Sequence, residues 1–256
     1  MSRRATRRSE STRPRTRKWR GRGRPISDRN AADGGIQVHD EEGTLVHSAP
    51  PEVTASVRYL IARVQLNNPT GIPRRLAITS AVRGEGVTYI ARTLGALIAH
   101  DLDRSVCVVD LNWWSESRSP DASTLGLADA LQRDVPVTEI LQPTNNAQLW
   151  LAPSGDVAIS SRSMMAESPG LDGLLDELEN TFDHLILELP AVLVSSDALT
   201  LARLCDAFAL VVHQGVTTEP QVREALNELA TVVSLGVVLN RYSSRVPKRL
   251  RRLLSL

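Results

Sequence analysis

The strongest constraint on the fold is a series of short, continuous apolar runs that alternate with helical patterns. Runs of this kind, without alternation of apolar and polar residues, are typical of strands buried on both faces. The runs are 76–80, 106–110, 149–153, 184–189, 207–212 and 235–240. Apolar residues at helical spacing occupy 52–66, 88–100, 124–132, 137–141, 164–180, 196–204 and 219–232. The order predicts an α/β fold with a doubly wound, mainly parallel sheet and helices on both faces, a Rossmann-like three-layer arrangement.

In such folds ligands bind beyond the carboxyl ends of the strands. The segment 76–91, LAITSAVRGEGVTYIA, places a Gly-containing turn there, between a strand and a helix, in the order of a P-loop. A P-loop cradles phosphates with backbone N–H groups, neutralises them with a Lys, and holds Mg²⁺ with a Ser or Thr. Gly84, Gly86 and Thr88 are present, but Val87 stands at the lysine position. On spacing alone, a glycine turn that only opens a helix is the competing interpretation.

Lysine is almost absent from the sequence. Only Lys18 and Lys248 occur, and every other basic residue is an arginine. No lysine between them can replace the one missing at Val87, so a substitute cation would have to come from Arg83 or Arg92.

Five segments resemble the bacterial tyrosine kinases (BY-kinases) of capsule and exopolysaccharide export, which belong to the wider MinD/ParA-like class of P-loop proteins. The likeness covers about residues 52–248. The segments are SAVRGEGVTYIARTLG, VCVVDLNWW, GLADALQRDVPVTEILQPT, FDHLILELPAVLVSSDA and LGVVLNR. The resemblance implies a P-loop NTPase-type sheet and a cytoplasmic protein at the inner face of the plasma membrane. It also implies a membrane-embedded polysaccharide co-polymerase or activator as partner, and a homo-oligomer.

The resemblance further implies a set of site residues. An ATP site would comprise Gly84, Glu85, Gly86, Val87, Thr88 and Asn240. Thr88 and Asp110 would hold Mg²⁺, and Asp110 and Glu188 would be the catalytic carboxylates.

The departures from the family pattern concentrate at this site. Val87 replaces the Lys, Arg83 a Pro, Asn112 the second Asp of the second motif, and Glu188 and Leu189 an Asp and a Thr. The N-terminal oligomerisation motif keeps only Arg58, and the C-terminal tyrosine cluster is reduced to Tyr242. Phosphoryl transfer depends on positioning and electrostatics, so losing a cation and a carboxylate predicts lost catalysis.

The favoured hypothesis is therefore a degenerate, catalytically inactive BY-kinase-like protein that acts as an interaction or regulatory module in exopolysaccharide or capsule biosynthesis and export. The alternative is an active ATP-dependent protein-tyrosine kinase or ATPase with an atypical P-loop. A nucleic-acid-associated MinD/ParA-like protein is a weaker alternative.

The N-terminus differs from the rest of the chain. Residues 1–30 carry 12 basic and 2 acidic side chains, whereas the whole chain has a formal net charge of +1. Low hydrophobicity predicts a disordered Arg-rich tail over residues 1–50 and a folded domain over 51–256. Three interpretations of the tail stay open: a solvated arm, a contact with an anionic membrane surface, and nucleic-acid binding, the last being less favoured.

Smaller features complete the predictions. Cys107 and Cys205 lie in apolar contexts and are expected to be free thiols. Trp113 and Trp114 follow the second predicted strand and belong either to the core or to an interface. Residues 246–255 predict a basic helix, and no apolar run is long enough to cross a membrane.

Overall fold

A computed structural model describes residues 34–114 and 125–241. Three predictions lie outside the described residues: the Arg-rich stretch 1–30, Tyr242, and the basic helix over 246–255.

The described chain is built around a seven-stranded sheet. Its strand order is β5-β6-β4-β7-β3-β8-β9, and every neighbouring pair is parallel except β5 with β6. The doubly wound, mainly parallel fold predicted from the sequence is therefore confirmed. The strands are β1 (Ile36–His39), β2 (Leu45–Ala49), β3 (Arg75–Ser80), β4 (Val106–Asp110), β5 (Gln142–Pro143), β6 (Leu149–Ala152), β7 (His184–Glu188), β8 (Ala207–His213) and β9 (Val233–Asn240).

Helices cover both faces of this sheet. On one face, α1 and α2 pack over a core that includes Ile61, Leu97 and Ile186. The other core is formed with α3, α4 and α6 to α8, and Leu175 and Leu187 lie within it. The helices are α1 (Pro51–Asn67), α2 (Val87–Asp101), α3 (Leu127–Arg133), α4 (Val137–Ile140), α5 (Arg162–Ala166), α6 (Pro169–Thr181), α7 (Asp197–Ala202) and α8 (Glu219–Glu228).

The single helix predicted over 164–180 is two helices, α5 and α6. Pro169 lacks an N–H and disfavours helical backbone at Ser168, so α5 ends before it. Ser168 instead caps α6, its hydroxyl oxygen accepting a hydrogen bond from the Gly170 N–H at 3.3 Å.

Folded structure begins before Pro51, so the prediction of a disordered tail through residue 50 is wrong for its last part. The strands β1 and β2 pair as an antiparallel hairpin against α2. Val38 and Ala49 are buried, and His47 Nε2 lies 2.9 Å from Thr93 Oγ1 on α2. Each strand buries only one or two side chains, which is too few to give a readable apolar period.

Arg75 joins β3 to α6 from a buried position. Its guanidinium forms ion pairs with Asp172 at 2.9 Å, Glu179 at 2.9 Å, and Asp176. The two aspartates are more than half exposed, so this cluster sits at the rim of the core and links α6 to the sheet.

Candidate functional site

The loop between β3 and α2 has the shape that the sequence predicts for a P-loop. Gly84 and Gly86 adopt left-handed backbone with φ of +79° and +94°. Gly86 is the N-cap of α2, and its carbonyl oxygen accepts the first helical hydrogen bond from Ile90 N at 3.0 Å. The first N–H groups of α2 therefore face the cleft beyond the sheet, where they favour negative charge.

Glu85 holds this loop against the sheet. Its side chain is only 1% exposed. One carboxylate oxygen accepts from the N–H of Val82 at 3.0 Å, and the other accepts from the N–H of His213 at 2.9 Å and from the Thr217 hydroxyl. The structure therefore gives this predicted cofactor-binding residue a bracing role between the loop and the end of β8.

Asn240 fixes the loop from the end of β9. Its amide nitrogen donates to the Glu85 carbonyl oxygen at 2.7 Å. A Cβ at Gly86 would lie 2.3 Å from the same nitrogen, so a side chain has no room there. Glycine at this position is required both by the positive φ and by the close approach of Asn240.

The two predicted carboxylates meet at the ends of neighbouring strands. Asp110 and Glu188 are register partners between β4 and β7. Glu188 is 2% exposed, and the Thr88 hydroxyl hydrogen-bonds its carboxyl group. Burial, and next the negative charge of Asp110, raise the pKa of Glu188 to about 8, against the opposing effects of Arg92 and Thr88. The protonated form of Glu188 is therefore favoured at neutral pH.

Asp110 is less deeply buried than Glu188. One of its oxygens accepts a hydrogen bond from the Asn112 N–H at 2.9 Å. The structure thus brings Thr88, Asp110 and Glu188 together, as the sequence predicts.

Val87 occupies the lysine position of the loop. Its side chain is 8% exposed and belongs to the core between α2 and the sheet, although the residue also lines the cleft. The described residues contain no lysine. Of the two arginines considered as substitutes, Arg83 lines the cleft, whereas Arg92 donates from Nη1 to the Val46 carbonyl oxygen at 3.2 Å.

The cleft itself has a volume of about 270 Å³ and lies between the loop and the segments after β4 and β7. Trp114 forms one wall, and its indole N–H donates to Asp197 at 3.0 Å. The guanidinium carbons of Arg83 and Arg162 lie 5.7 and 4.6 Å from the centroid of the Trp114 ring. Trp113 is fully buried instead, so the core interpretation is confirmed for Trp113.

Sequence reasoning did not find Arg162 or Asp197 as neighbours of the cleft. They lie on α5 and α7, far along the chain from the loop, and carry no motif of their own. The one sequence feature that pointed to this wall of the cleft is Trp114, which follows a strand at the end of the sheet where ligands bind.

No family model matches the chain. Among curated proteins, it is 26% identical to the tyrosine-protein kinase CpsD of Streptococcus agalactiae over 177 residues, 67% of this chain and 75% of that protein. It is 27% identical to the tyrosine-protein kinase YwqD of Bacillus subtilis over 176 residues, 65% of this chain and 72% of that protein. The chain is a divergent relative of the bacterial tyrosine kinases.

A third curated relative is the succinoglycan biosynthesis transport protein ExoP of Rhizobium meliloti. It is 28% identical over 180 residues, which are 66% of this chain but only 22% of ExoP. The predicted resemblance to proteins of capsule and exopolysaccharide biosynthesis is therefore confirmed at the level of relatedness.

Solved structures agree on the fold. The kinase domain of the Escherichia coli tyrosine kinase ETK superposes with a TM-score of 0.64 at 23% identity, covering 76% of this chain and 79% of that domain. Cobyrinic acid a,c-diamide synthase from Mycobacterium smegmatis, solved with an ATP analog and magnesium, superposes with a TM-score of 0.57 at 20% identity, covering 72% of this chain and 79% of that chain. These likenesses place the chain among P-loop NTPase folds.

Two further findings concern the membrane and the oligomer. In the described ranges, no helix combines the length and apolar character that a membrane crossing requires. Arg58, which the sequence resemblance assigns to an oligomerisation motif, pairs with Asp101 of α2 within the same chain, Nε to Oδ2 at 2.7 Å.

Proposed function

We propose that this protein is a catalytically inactive BY-kinase-like module that acts through protein contacts in exopolysaccharide or capsule biosynthesis and export. One relative, the succinoglycan biosynthesis transport protein ExoP, carries a polysaccharide pathway in its name. The proposed loss of catalysis rests on one observation: Val87, a buried aliphatic residue, stands at the position where phosphoryl transfer needs a cation.

No lysine among the described residues replaces the charge missing at Val87. A charge-assisted hydrogen bond to a phosphate contributes roughly 1.5–3 kcal/mol. Arg83 is the arginine nearest in place, but its guanidinium lies over Trp114. Arg92 is turned toward the hairpin, where it donates to the Val46 carbonyl.

The oxygen ligands at the site fit Mg²⁺ poorly. Within the described ranges, no cluster of three His, Cys, Asp or Glu side chains is arranged to hold a metal ion. Glu188 favours its protonated form, and the Thr88 hydroxyl is bonded to it. Asn112 supplies no charge in place of the second aspartate. These groups therefore disfavour the binding of ATP with Mg²⁺ at this site.

The partners follow from the same proposal. A membrane-embedded polysaccharide co-polymerase or activator is the partner that suits a relative of CpsD and ExoP, and the basic stretch 1–30 would strengthen that contact at an anionic membrane surface. Homo-oligomers are expected to be weak, since Arg58 is engaged by Asp101.

Nucleotide handling by the purified full chain tests the catalytic part. We expect no steady ATP turnover and no phosphotyrosine with Mg²⁺, and titration calorimetry with ATP and ADP should show no Mg²⁺-dependent increase in affinity. Thr88→Ala should behave as the unchanged chain does. The matched control is Thr181→Ala on the exposed end of α6.

Turnover that Thr88→Ala abolishes and Thr181→Ala leaves intact would establish the alternative, an active kinase or ATPase.

The interaction role is tested in the native host. Deletion should lower polysaccharide export, and the Thr88→Ala chain should restore it fully. Failure of that variant to restore export, at normal protein level, contradicts a non-catalytic role.

A further inference from the structure

The two edges of the central sheet differ in their protection against pairing with another chain. At one edge, β5 is two residues long and includes Pro143, which has no N–H to offer to a further strand. Directly after β5, Thr144 forms a β-bridge with Asp40 of the β1–β2 hairpin, so the hairpin covers the chain there. Short edge strands, proline and covering segments are the features that keep a sheet from pairing with another chain.

The opposite edge has none of these features among the described residues. It is formed by β9, which is eight residues long, reads VSLGVVLN and contains no charged residue and no proline. No strand of the described chain pairs with the outer side of β9. The one irregularity in its pairing with β8 lies near the start, between Ser234 and Gly236, and the register is continuous from Gly236 to Asn240. We call the outer side of this continuous stretch, residues 236–240, the β9 edge.

The backbone groups that face outward from the β9 edge belong to Val237 and Leu239. Asn240 faces β8, because its carbonyl oxygen accepts a hydrogen bond from the Gln214 N–H at 3.1 Å. Successive residues of a strand direct their N–H and C=O groups to opposite sides, so Val238 also faces β8, while Val237 and Leu239 face outward. Each outward residue offers one donor and one acceptor to an added strand.

The side chains of the same residues are apolar and about half exposed. Val237 and Leu239 are in register with residues of β8 that belong to the core on the α8 side. They therefore point to that side of the sheet, yet 46% and 48% of their surfaces stay exposed. Val238 points to the other side, where it packs at the rim of the core beneath α1 and α2. Because parallel strands are normally covered on both faces, the β9 edge presents unusual apolar surface next to its free backbone groups.

We propose that two copies of this chain associate through the β9 edge, with the two β9 strands paired antiparallel. The two-fold axis passes between the two Val238 residues, and Val237 of each copy lies opposite Leu239 of the other. Each opposed pair exchanges both of its backbone hydrogen bonds and places one apolar side chain beside another. The two seven-stranded sheets are thereby joined into one.

A second copy suits this edge because two-fold symmetry brings the same strand of both chains together. Charged residues on β9 would place like charges near each other across the axis. The strand has none, although 23% of the residues of the chain are charged. The pairing does not use Arg58, whose guanidinium is bound to Asp101 of the same chain. It goes beyond the proposed function, since it holds whether or not the chain turns over nucleotide.

Charged substitutions at the opposed positions test this pairing in the full chain. The molar mass of the unchanged chain is measured by sedimentation equilibrium across the micromolar range at physiological ionic strength. Val237→Glu and Leu239→Lys are measured alone and as an equimolar mixture. Alone, each places a charge against an apolar side chain of the other copy, whereas in the mixture the new carboxylate lies opposite the new ammonium group. Ile159→Glu and Ile159→Lys are the matched controls, because Ile159 is 71% exposed and follows β6, which four strands separate from β9.

The proposal expects concentration-dependent dimers of the unchanged chain and of both control variants. The dissociation constant should rise by about tenfold or more for each β9 variant alone, and the mixture should restore dimers that contain one chain of each kind. A chain that stays monomeric at every concentration overturns the proposal. Dimers that neither β9 variant weakens use another surface, and dimers that both variants weaken but the mixture does not restore use another register. Either result also overturns the proposal.

Discussion

The tightest contact at the candidate site is between Gly86 and Asn240, and it gives a quantitative prediction. Gly86→Ala introduces two costs. The first is the left-handed backbone at φ +94°, which costs an L-residue roughly 1–2 kcal/mol. The second is the new Cβ, 2.3 Å from the Asn240 amide nitrogen, a distance that no packed Cβ tolerates.

Asn240 can relieve that overlap only by moving. Moving breaks its 2.7 Å hydrogen bond to the Glu85 carbonyl, and overpacking of this kind costs about 1–3 kcal/mol. The free energy of unfolding of Gly86→Ala should therefore fall by roughly 2–5 kcal/mol in total.

Gly84→Ala is the matched control in the same loop. Its φ is +79°, and nothing lies within 4 Å of the added Cβ, so only the backbone cost of roughly 1–2 kcal/mol applies. Urea denaturation of both variants gives the difference. Adding Asn240→Ala to Gly86→Ala should remove the steric part, so the double variant should be more stable than the sum of the single changes predicts.

Equal losses for Gly86→Ala and Gly84→Ala would refute this reasoning. So would an additive result for the double variant, since Asn240 would then not be the group that the new methyl meets.

Three other perturbations follow from buried ionisable groups. The pKa of Glu188 is raised from 4.5 to about 8, so its stabilising contribution is present in full below pH 4.5 and is lost as pH rises to about 8. Glu188→Gln should therefore gain stability over the unchanged chain across that window, by more than about 1.4 kcal/mol at its upper end, measured by urea denaturation against pH. Burial, and then Arg92, lower the pKa of His47 from 6.5 to about 4, so stability should be lost as pH falls between these values. Hydrogen exchange of the β1–β2 hairpin should accelerate in that range, and His47→Gln should remove the pH dependence; a hairpin whose exchange is constant from pH 7 to 4 contradicts this. Arg75→Leu should lower the free energy of unfolding by about 2 kcal/mol or more, because it leaves the three carboxylates of α6 without their cation. Loss of the exposed ion pair between Arg133 and Asp129 should change the free energy of unfolding by less than about 0.5 kcal/mol.

The sheet and its order of elements could be predicted because each core strand is a continuous apolar run. β4 begins and ends where the run 106–110 does, and β7 differs from the run 184–189 by one residue. The hairpin was missed because β1 and β2 are short and half-exposed. The break at Pro169 was missed because the apolar spacing of α6 continues through α5.

The candidate site was predictable to the extent that its residues follow strands. Thr88, Asp110 and Glu188 meet because β3, β7 and β4 are neighbours in the sheet. The sequence could not predict which groups each side chain contacts. Glu85 reads as a loop residue for nucleotide contact, yet its carboxylate is saturated by Val82, His213 and Thr217.

Contacts within the chain hold the loop in shape. Hydrogen bonds of Glu85 with the end of β8, and of Asn240 at the end of β9 with Glu85, connect the loop to the sheet. At the same place a lysine would help to keep a neighbouring carboxylate ionised, and Glu188 instead favours its proton. The aliphatic Val87, the protonated Glu188 and the bracing of the loop by Glu85 and Asn240 are each consistent with the proposal of a non-catalytic module.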